Sequence, residues 1–235
     1  MTPPLILENL TKHYGPVLGI EDLSLEVHRG EIFGFLGPNG AGKSTTISTI
    51  LDFIRPTSGS ATVLGMDSRR DSVAIHRQVG YLPGELAMHE RMTGGELLRY
   101  LAALRRVDAT AAIATLAERF DLDLNRRIRA YSSGNRQKVG LVQAFMHSPQ
   151  LLILDEPTNG LDPQQIRQFR ELIKELGKEH TIFLSTHILP EVEKTCNRIL
   201  IINRRKLRAS DTPQNLVQRR REGSDIVLEV KAKAK

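Results

Sequence analysis

The order of apolar and polar residues changes along the chain and predicts two kinds of β-structure. In residues 5–12 and 23–27, apolar side chains are interrupted by polar ones, which is typical of half-buried strands. Residues 32–36 and 151–154 are continuously apolar, which indicates strands buried on both faces. We therefore predict an antiparallel β-layer near the N-terminus and a second sheet with a buried centre.

Two segments between these strands show helical spacing. Residues 47–54 carry Ile or Leu at positions i, i+3, i+4 and i+7, and residues 166–176 present a similar apolar face. Asp162 is predicted to cap the second helix, with Pro163 in its first turn and Gly177 at the C′ position after its end. Helices alternating with buried strands indicate an α/β fold whose mostly parallel sheet is covered on both faces.

Residues 85–147 interrupt this alternation and are predicted to be all-helical. Thr93 and Glu96 have the spacing of a capping box, and Asp108 is the predicted N-cap of the next helix. We predict three parts: a core with a β subdomain, a helical subdomain and a basic C-terminal tail. Their respective bounds are 1–84 with 148–215, 85–147, and 216–235.

Composition narrows the class of protein. The chain has 235 residues, 40% hydrophobic and 26% charged, which is enough for a sizeable core. Its net charge of +6 lies in residues 203–235, where ten Lys and Arg face four Asp and Glu. Such a tail can attract anionic lipid or nucleic acid, although a solvated end is the commoner explanation. Cys196 is the single cysteine, so an internal disulfide is excluded and a reducing compartment is expected.

No signal peptide is expected in residues 1–4, and no run approaches the roughly 18 apolar residues of a membrane span. Any membrane role is therefore expected to depend on another chain.

A glycine-rich segment joins the apolar run 32–36 to the helix predicted at 47–54. It matches G-x-x-x-x-G-K-[ST] and consists of Gly37, Pro38, Asn39, Gly40, Ala41, Gly42, Lys43, Ser44 and Thr45. Glycines before a helix let backbone N–H groups converge on an anion, which the helix dipole also attracts. Lys43 can reach the β- and γ-phosphates of a nucleotide, and the Ser44 hydroxyl can bind Mg²⁺. The alternative is an ordinary glycine turn, which this context disfavours.

Two acidic residues follow the buried strand 151–154. The Asp155 carboxylate is predicted to hold Mg²⁺ beside the phosphates, because it ends a strand of the sheet that carries the phosphate loop. Glu156 is placed to polarise an attacking water as general base. His187 follows the strand predicted at 181–185 and can donate to a γ-phosphate, although a histidine at a strand end is more often structural.

Together with Tyr14, whose ring can stack on adenine, these segments resemble the ATP-binding-cassette ATPases of ABC transporters over residues 4–215. The phosphate loop is similar to the family's Walker A motif, residues 151–156 to Walker B, residues 160–162 to the D-loop, and His187 to the switch histidine. The most specific match is Tyr-Ser-Ser-Gly-Asn-Arg-Gln at 131–137, which is similar to the family signature LSGGQ.

This resemblance implies a P-loop NTPase (RecA-like) core with a mostly parallel sheet, an antiparallel β subdomain and an all-helical insert. It also implies that ATP is held between the Walker A motif of one subunit and the signature of a second, with Ser132, Gly134 and Asp162 among the nucleotide-binding residues. From the residues themselves, Ser132 is predicted to cap the helix whose apolar face follows the signature.

Two positions depart from the family pattern. Ser133 stands where the signature usually has Gly. The Gln expected after Tyr-Leu-Pro is missing, because residues 81–83 are followed by Gly84 and Glu85. Glu85 replaces it only if the register shifts, and we do not assign Glu85 to the metal.

The resemblance implies an ATPase with ATP and Mg²⁺ as cofactors, which powers export through a separate integral membrane subunit contacted near residues 80–95. It also implies a second cassette, expected to be an identical copy, and a place at the cytoplasmic face of the membrane. No nucleic-acid partner is expected. One alternative is a soluble ATPase of this type acting on ribosomes or nucleic acid, which the basic tail suggests. Another is a non-catalytic regulatory cassette, suggested by the missing Gln and by Ser133. A GTPase switch is disfavoured because Asn-Lys-x-Asp does not occur.

Overall fold

The computed structural model describes residues 2–216 of the chain, and these alternate between strands and helices. The strands are β1 (Leu5–Tyr14), β2 (Val17–Val27), β3 (Ile32–Leu36), β4 (Ser58–Val63), β5 (Met66–Asp67), β6 (Val79–Leu82), β7 (Leu151–Asp155), β8 (Thr181–Thr186), β9 (Arg198–Asn203) and β10 (Lys206–Asp211). The helices are α1 (Lys43–Ile50), α2 (Ser72–Gln78), α3 (Gly94–Arg105), α4 (Thr110–Arg119), α5 (Ser133–Phe145), α6 (Pro163–Leu176) and α7 (Leu189–Thr195). Apart from Leu216, the predicted basic tail lies outside the described residues.

The strands form two sheets. The first is antiparallel, with the order β2-β1-β4-β5. The second has the order β10-β9-β3-β8-β7-β6, and all its strands are parallel to their neighbours except β10 at one edge. The predicted α/β fold, with a mostly parallel sheet and an antiparallel layer, is confirmed.

The parallel sheet is buried on both faces, as its apolar runs predict. Every residue of β3 and β7 is buried. On one face Phe33, Phe35 and Phe183 form a ring cluster that packs with α1 and the antiparallel sheet. On the other face Leu152 and Leu154 pack with apolar residues of α3 to α7. Burial of large apolar side chains on both faces fixes this sheet as the centre of the molecule.

The segment predicted to be helical contains α3, α4, α5 and a short 3₁₀ turn. The capping box of α3 is confirmed, because the Glu96 N–H donates to Thr93 Oγ1 (3.2 Å) and the Thr93 N–H donates to Glu96 Oε2 (2.7 Å). The predicted cap of α4 was placed one residue too early. Ala109 occupies the N-cap, while Asp108 accepts a hydrogen bond from the Thr110 N–H (3.0 Å). The division of the chain into subdomains stays a prediction.

Two other helix ends test the sequence predictions. α1 stops at Ile50, so its apolar face is shorter than the segment predicted at 47–54. Asp162 caps α6 as predicted, accepting hydrogen bonds from the N–H groups of Gln164 (2.9 Å) and Gln165 (2.8 Å). Gly177 does not take the left-handed C′ position, because it is the C-cap and has a φ of −62°. Its small size serves packing instead, since a Cβ there would lie 2.5 Å from Ile32 Cδ1.

Among residues 2–216, no helix is long and apolar enough to cross a membrane.

Candidate active site

The glycine-rich segment runs from the end of β3 into the first turn of α1. Gly42 is the N-cap of α1 and has a φ of 108°, a left-handed value that favours glycine. A Cβ at Gly42 would also lie 2.7 Å from the carbonyl oxygen of Gly19. Within the described part of the chain, no side chain caps α1. The N–H groups of its first turn are therefore available to bind an anion.

A cavity of about 400 Å³ opens at this helix end. Its lining residues are Tyr14, Val17, Leu18, Gly19, Asn39, Gly40, Gly42, Lys43, Ser44, Thr45, Glu156 and Arg205. Most of the predicted phosphate loop therefore borders one cavity, together with Tyr14. The remaining loop residues support it: Ala41 is buried and its N–H donates to the Pro38 carbonyl (3.1 Å), while the Gly37 N–H donates to the Thr186 carbonyl (3.2 Å).

Tyr14 lies at the rim of this cavity with 46% of its surface exposed. The Lys12 ammonium lies 5.1 Å from the centre of its ring and donates to the Arg55 carbonyl (2.7 Å). Lys12, which the sequence prediction did not include, therefore covers one face of the ring with a cation. The ring also borders the cavity, and its stacking on adenine stays a prediction.

Lys43 and Glu156 form an ion pair inside the site. Lys43 is buried, and its ammonium donates to the Gly37 carbonyl (2.8 Å) and lies 3.1 Å from Glu156 Oε1. The other oxygen of Glu156 lies 2.9 Å from Nδ1 of His187. The structure thus brings three of the predicted site residues into one chain of contacts, with the candidate base between two nitrogen groups.

Asp155 is held by two hydroxyl groups at the end of β7. Ser44 Oγ donates to Asp155 Oδ2 and Ser185 Oγ donates to Asp155 Oδ1, and both hydrogen bonds are 2.8 Å long. Burial raises the pKa of the Asp155 carboxyl, while the two hydroxyls and the Lys43 charge oppose this rise and the Glu156 charge adds to it. An all-oxygen set with one carboxylate is of the kind that Mg²⁺ binds, completed by water and phosphate. Ser44 and Asp155 therefore fit the predicted metal.

Ser185 was missed because its importance depends on register. Parallel pairing of β7 with β8 sets Asp155 opposite Ser185, and no pattern within either strand reveals that match. The same pairing places His187 beside Glu156, whose N–H donates to the Ser185 carbonyl (2.9 Å).

The signature segment lies at the start of α5. Ser132 caps the helix as predicted, accepting a hydrogen bond from the Asn135 N–H (3.2 Å). Ser132 is exposed, whereas Gly134 is buried, and a Cβ there would lie 3.1 Å from the Gly160 carbonyl oxygen. Among the residues that the structure describes, Ser132, Gly134 and Asp162 lie outside the lining of the 400 Å³ cavity. Their predicted nucleotide contacts therefore need a surface other than this cavity.

A buried hydrogen bond joins the signature helix to the segment after Glu156. Gln137 Nε2 donates a hydrogen bond of 3.0 Å to the Pro157 carbonyl, and both groups belong to one chain. Gln137 is the last residue of the signature match, but the sequence did not show that its side chain faces Walker B.

Gly84 and Glu85 occupy the segment where the family pattern has a Gln. Gly84 lies beside the metal candidate, since a Cβ there would be 3.5 Å from Asp155 Oδ2. Glu85 is exposed. Of these two residues, Gly84 is the one that the structure sets against Asp155.

A second carboxylate network, which the sequence did not predict, lies behind the site. Glu191 is buried in the first turn of α7 and accepts hydrogen bonds from Thr158 Oγ1 (2.6 Å) and Thr186 Oγ1 (3.1 Å). Thr158 follows Glu156 by two residues, and Thr186 precedes His187. Glu191 thus ties together the two loops that carry the candidate base and the candidate switch histidine.

Comparison with known proteins gives a consistent result. Residues 20–159 match the family model described as ABC transporter. The ABC transporter ATP-binding protein YdbJ of Bacillus subtilis (strain 168) is 36% identical over 220 residues, or 92% of this chain and 71% of YdbJ. The bacitracin transport ATP-binding protein BcrA of Bacillus licheniformis is 37% identical over 230 residues, or 96% of this chain and 75% of BcrA. A solved ATP-binding subunit of an ABC transporter is 33% identical and superposes with a TM-score of 0.84, covering 95% of both chains.

Proposed function

The chain belongs to the ABC transporter family of ATP-binding subunits, and from this premise we propose that it hydrolyses ATP with Glu156 as the base to drive export through a separate membrane protein. The observation that carries this proposal is the series of contacts Lys43–Glu156–His187 at the edge of the cavity. In this arrangement the buried ammonium can bind a phosphate and the carboxylate can accept a proton. The imidazole can hold the carboxylate in position.

Each residue has a defined task in this scheme. The first-turn N–H groups of α1 and the Lys43 ammonium bind the β- and γ-phosphates. Phosphate replaces Glu156 as the partner of Lys43, which frees a carboxylate oxygen to take the proton of an attacking water. His187 keeps the other oxygen of Glu156 oriented and is proposed to donate to the γ-phosphate. Ser44 and Asp155 would hold Mg²⁺, which neutralises phosphate charge when bound.

The catalytic assignment is tested by Glu156→Gln. This variant keeps the shape of the side chain but removes the base, so the rate of ATP hydrolysis should fall by at least ~100-fold while ATP still binds. Turnover is measured by phosphate release and binding by calorimetry. The matched control is Glu85→Gln, which changes an exposed acid and should retain turnover. Wild-type turnover in Glu156→Gln would refute this role for Glu156, whereas absence of turnover in the wild type would favour the regulatory alternative.

We further propose that a second copy of the chain completes the site. Ser132 is exposed at the start of α5 and lies outside the cavity proposed for the nucleotide, which supports its use by a partner's nucleotide. ATP should therefore convert Glu156→Gln from monomer to dimer in size-exclusion chromatography with light scattering. A monomer at saturating ATP would contradict this arrangement.

The membrane partner is proposed to dock on an aromatic groove. A cavity of about 280 Å³ is lined in part by Phe53, His76, Tyr81 and Pro83. Phe53 is 54% exposed, and its ring centre lies 5.5 Å from that of His76 and 5.7 Å from that of Tyr81. An exposed aromatic cluster supports docking of a partner, and Tyr81 and Pro83 fall in the segment predicted for that contact. Docking there would place the chain at the cytoplasmic face of the membrane.

Phe53→Ala tests this docking surface. It should reduce co-purification with the membrane subunit while the ATPase activity of the isolated chain stays unchanged. The exposed Val73, changed to Ala, provides the control. Equal co-purification by wild type and Phe53→Ala would exclude this groove.

A further inference from the structure

The hairpin between β9 and β10 turns through two arginines. Arg204 and Arg205 alone join Asn203 to Lys206, and their φ values are 49° and 67°. Two-residue hairpin loops with positive φ at both positions favour Asn and Gly, since larger side chains are disfavoured there. Residues in strained backbone conformations are concentrated at functional sites, so the side chains of this turn are candidates for a function.

The strand behind the cavity holds this hairpin in place. The Glu21 N–H donates a hydrogen bond of 2.9 Å to the Arg205 carbonyl, and the Lys206 ammonium lies 2.9 Å from Glu21 Oε1. Glu21 belongs to β2, whose first residues line the nucleotide cavity beside Tyr14. The turn is therefore fixed against the wall of the cavity.

The two arginines differ in what they face. Arg205 lines the nucleotide cavity and is partly buried, whereas Arg204 is exposed and lies outside its lining. Within residues 2–216, no hydrogen bond or ion pair involves the Arg205 guanidinium. Lys43, by contrast, is engaged with Glu156 (3.1 Å). Arg205 thus adds an unpaired positive charge to a cavity built around an anion site.

We propose that Arg205 binds phosphate oxygens of the nucleotide in this cavity. The guanidinium has a flat, forked set of N–H donors that matches two phosphate oxygens at once. Arg205 therefore acts as a second cation besides Lys43 and is a nucleotide-binding residue outside the Walker A, Walker B and signature segments. The inference rests on the proposed function, because it needs a nucleotide in this cavity.

The test compares Arg205→Ala with Arg204→Ala. Both remove an arginine from the same turn and leave Ala at a positive φ, so their effects on the fold are matched. Affinities for ATP, ADP and adenosine are measured by calorimetry, after thermal unfolding has shown that both variants fold. Arg205→Ala should weaken ATP and ADP binding by roughly 5–20-fold, and Arg204→Ala by less than about twofold. Adenosine affinity should be unchanged in both, because adenosine has no phosphate.

Two further variants make the outcome specific. Arg205→Lys keeps the charge without the fork and should recover part of the ATP affinity. Lys43→Ala should abolish ATP binding, which tests the proposed function separately. If Arg205→Ala and Arg204→Ala bind ATP equally while Lys43→Ala does not bind it, the inference fails and the proposed function stands. A loss of adenosine affinity in Arg205→Ala would also overturn the phosphate contact. If the wild type does not bind ATP, both fail.

Discussion

Glu156 shows how single residues of the site are held in conformations that local preference disfavours. Its φ of 48° lies in the left-handed region, which for a residue other than glycine costs about 1–3 kcal/mol. Backbone hydrogen bonds to Ser185 and from Asn159 fix this conformation. The result is a carboxylate directed at both Lys43 and His187 instead of along the strand.

Glu191 is expected to act through the residues it positions. Glu191→Ala leaves the buried hydroxyls of Thr158 and Thr186 without their acceptor, which should lower the free energy of unfolding by about 2–4 kcal/mol. Glu191→Gln keeps one acceptor oxygen and should lower it by less than about 1.5 kcal/mol. In Glu191→Gln, kcat should fall while the KM for ATP changes little, because only one of the loops that carry Glu156 and His187 keeps its hydrogen bond to a carboxamide oxygen. Urea unfolding and steady-state kinetics measure both effects, and equal destabilisation by the two substitutions would contradict the network.

His147 should make stability depend on pH. Burial, followed by the charge of Arg105, lowers its pKa from 6.5 to about 4, while the Val79 carbonyl opposes this shift. Between these two values the unfolded chain binds a proton that the folded chain does not, so the free energy of unfolding falls as the pH falls from 6.5 towards 4. At about pH 5 this residue should account for a loss of roughly 1 kcal/mol, less than the full pKa shift corresponds to, because solvent screens the partly exposed ring.

The variant for this test is His147→Gln, which does not titrate and can still donate to the Val79 carbonyl. Urea unfolding at several pH values should give a shallower decline for the variant than for wild type. Parallel curves would show that His147 does not contribute.

At the scale of elements, the sequence predicted strands and helix caps well where the residues that determine them are close together in the chain. The apolar runs of β3 and β7, the cap of α6 and the phosphate loop before α1 each depend on neighbouring residues, so the sequence shows them directly. The end of α1 and the start of α4 were less accurate, because helix ends depend on packing as well as on caps.

Gly177 illustrates what local pattern leaves out. Its position after α6 suggested a turn requirement, whereas the structure shows a close approach to Ile32 on β3. That contact joins residues far apart in sequence. The contacts of Ser185, Gln137 and Glu191 escaped prediction for the same reason, since they depend on the register or packing of distant segments.

Gly177→Ala should therefore destabilise the protein although alanine is the better helix former. The added methyl group meets Ile32 and should lower the free energy of unfolding by about 1–3 kcal/mol. Ile32→Ala removes both carbons that the methyl group would meet, Cδ1 at 2.5 Å and Cγ1 at 2.6 Å, so the double variant should be more stable than the sum of the single effects predicts. Urea unfolding of all four proteins gives the coupling, and purely additive effects would contradict the contact.

At the scale of the whole molecule, the signature segment and the catalytic segment form one packed unit within each chain. Gln137 donates to the Pro157 carbonyl, and Gly134 lies close to the Gly160 carbonyl oxygen. In a dimer that shares two nucleotides, nucleotide held by one copy would contact the signature of the other. A displacement at that signature would then reach the Glu156 segment of its own chain.

ATP hydrolysis should accordingly be cooperative. The wild type is expected to give a Hill coefficient above about 1, since the two sites share a conformational equilibrium. Gln137→Met keeps the side-chain volume but removes the hydrogen bond to Pro157, and it should bring the coefficient towards 1. Rates measured over a range of ATP concentrations decide this, and an unchanged coefficient in Gln137→Met would exclude this link.

The ion pair between Lys43 and Glu156 has a consequence for the end of the reaction. Phosphate and the protein's own carboxylate are competitors for one ammonium, so nucleotide binds less tightly than the cations of the cavity alone would permit. Once the γ-phosphate has been cleaved and Glu156 has passed its proton to the released phosphate, the Glu156 carboxylate can return to Lys43 and oppose rebinding of that phosphate. The candidate base is then also an internal competitor that speeds product release and prepares the site for the next ATP.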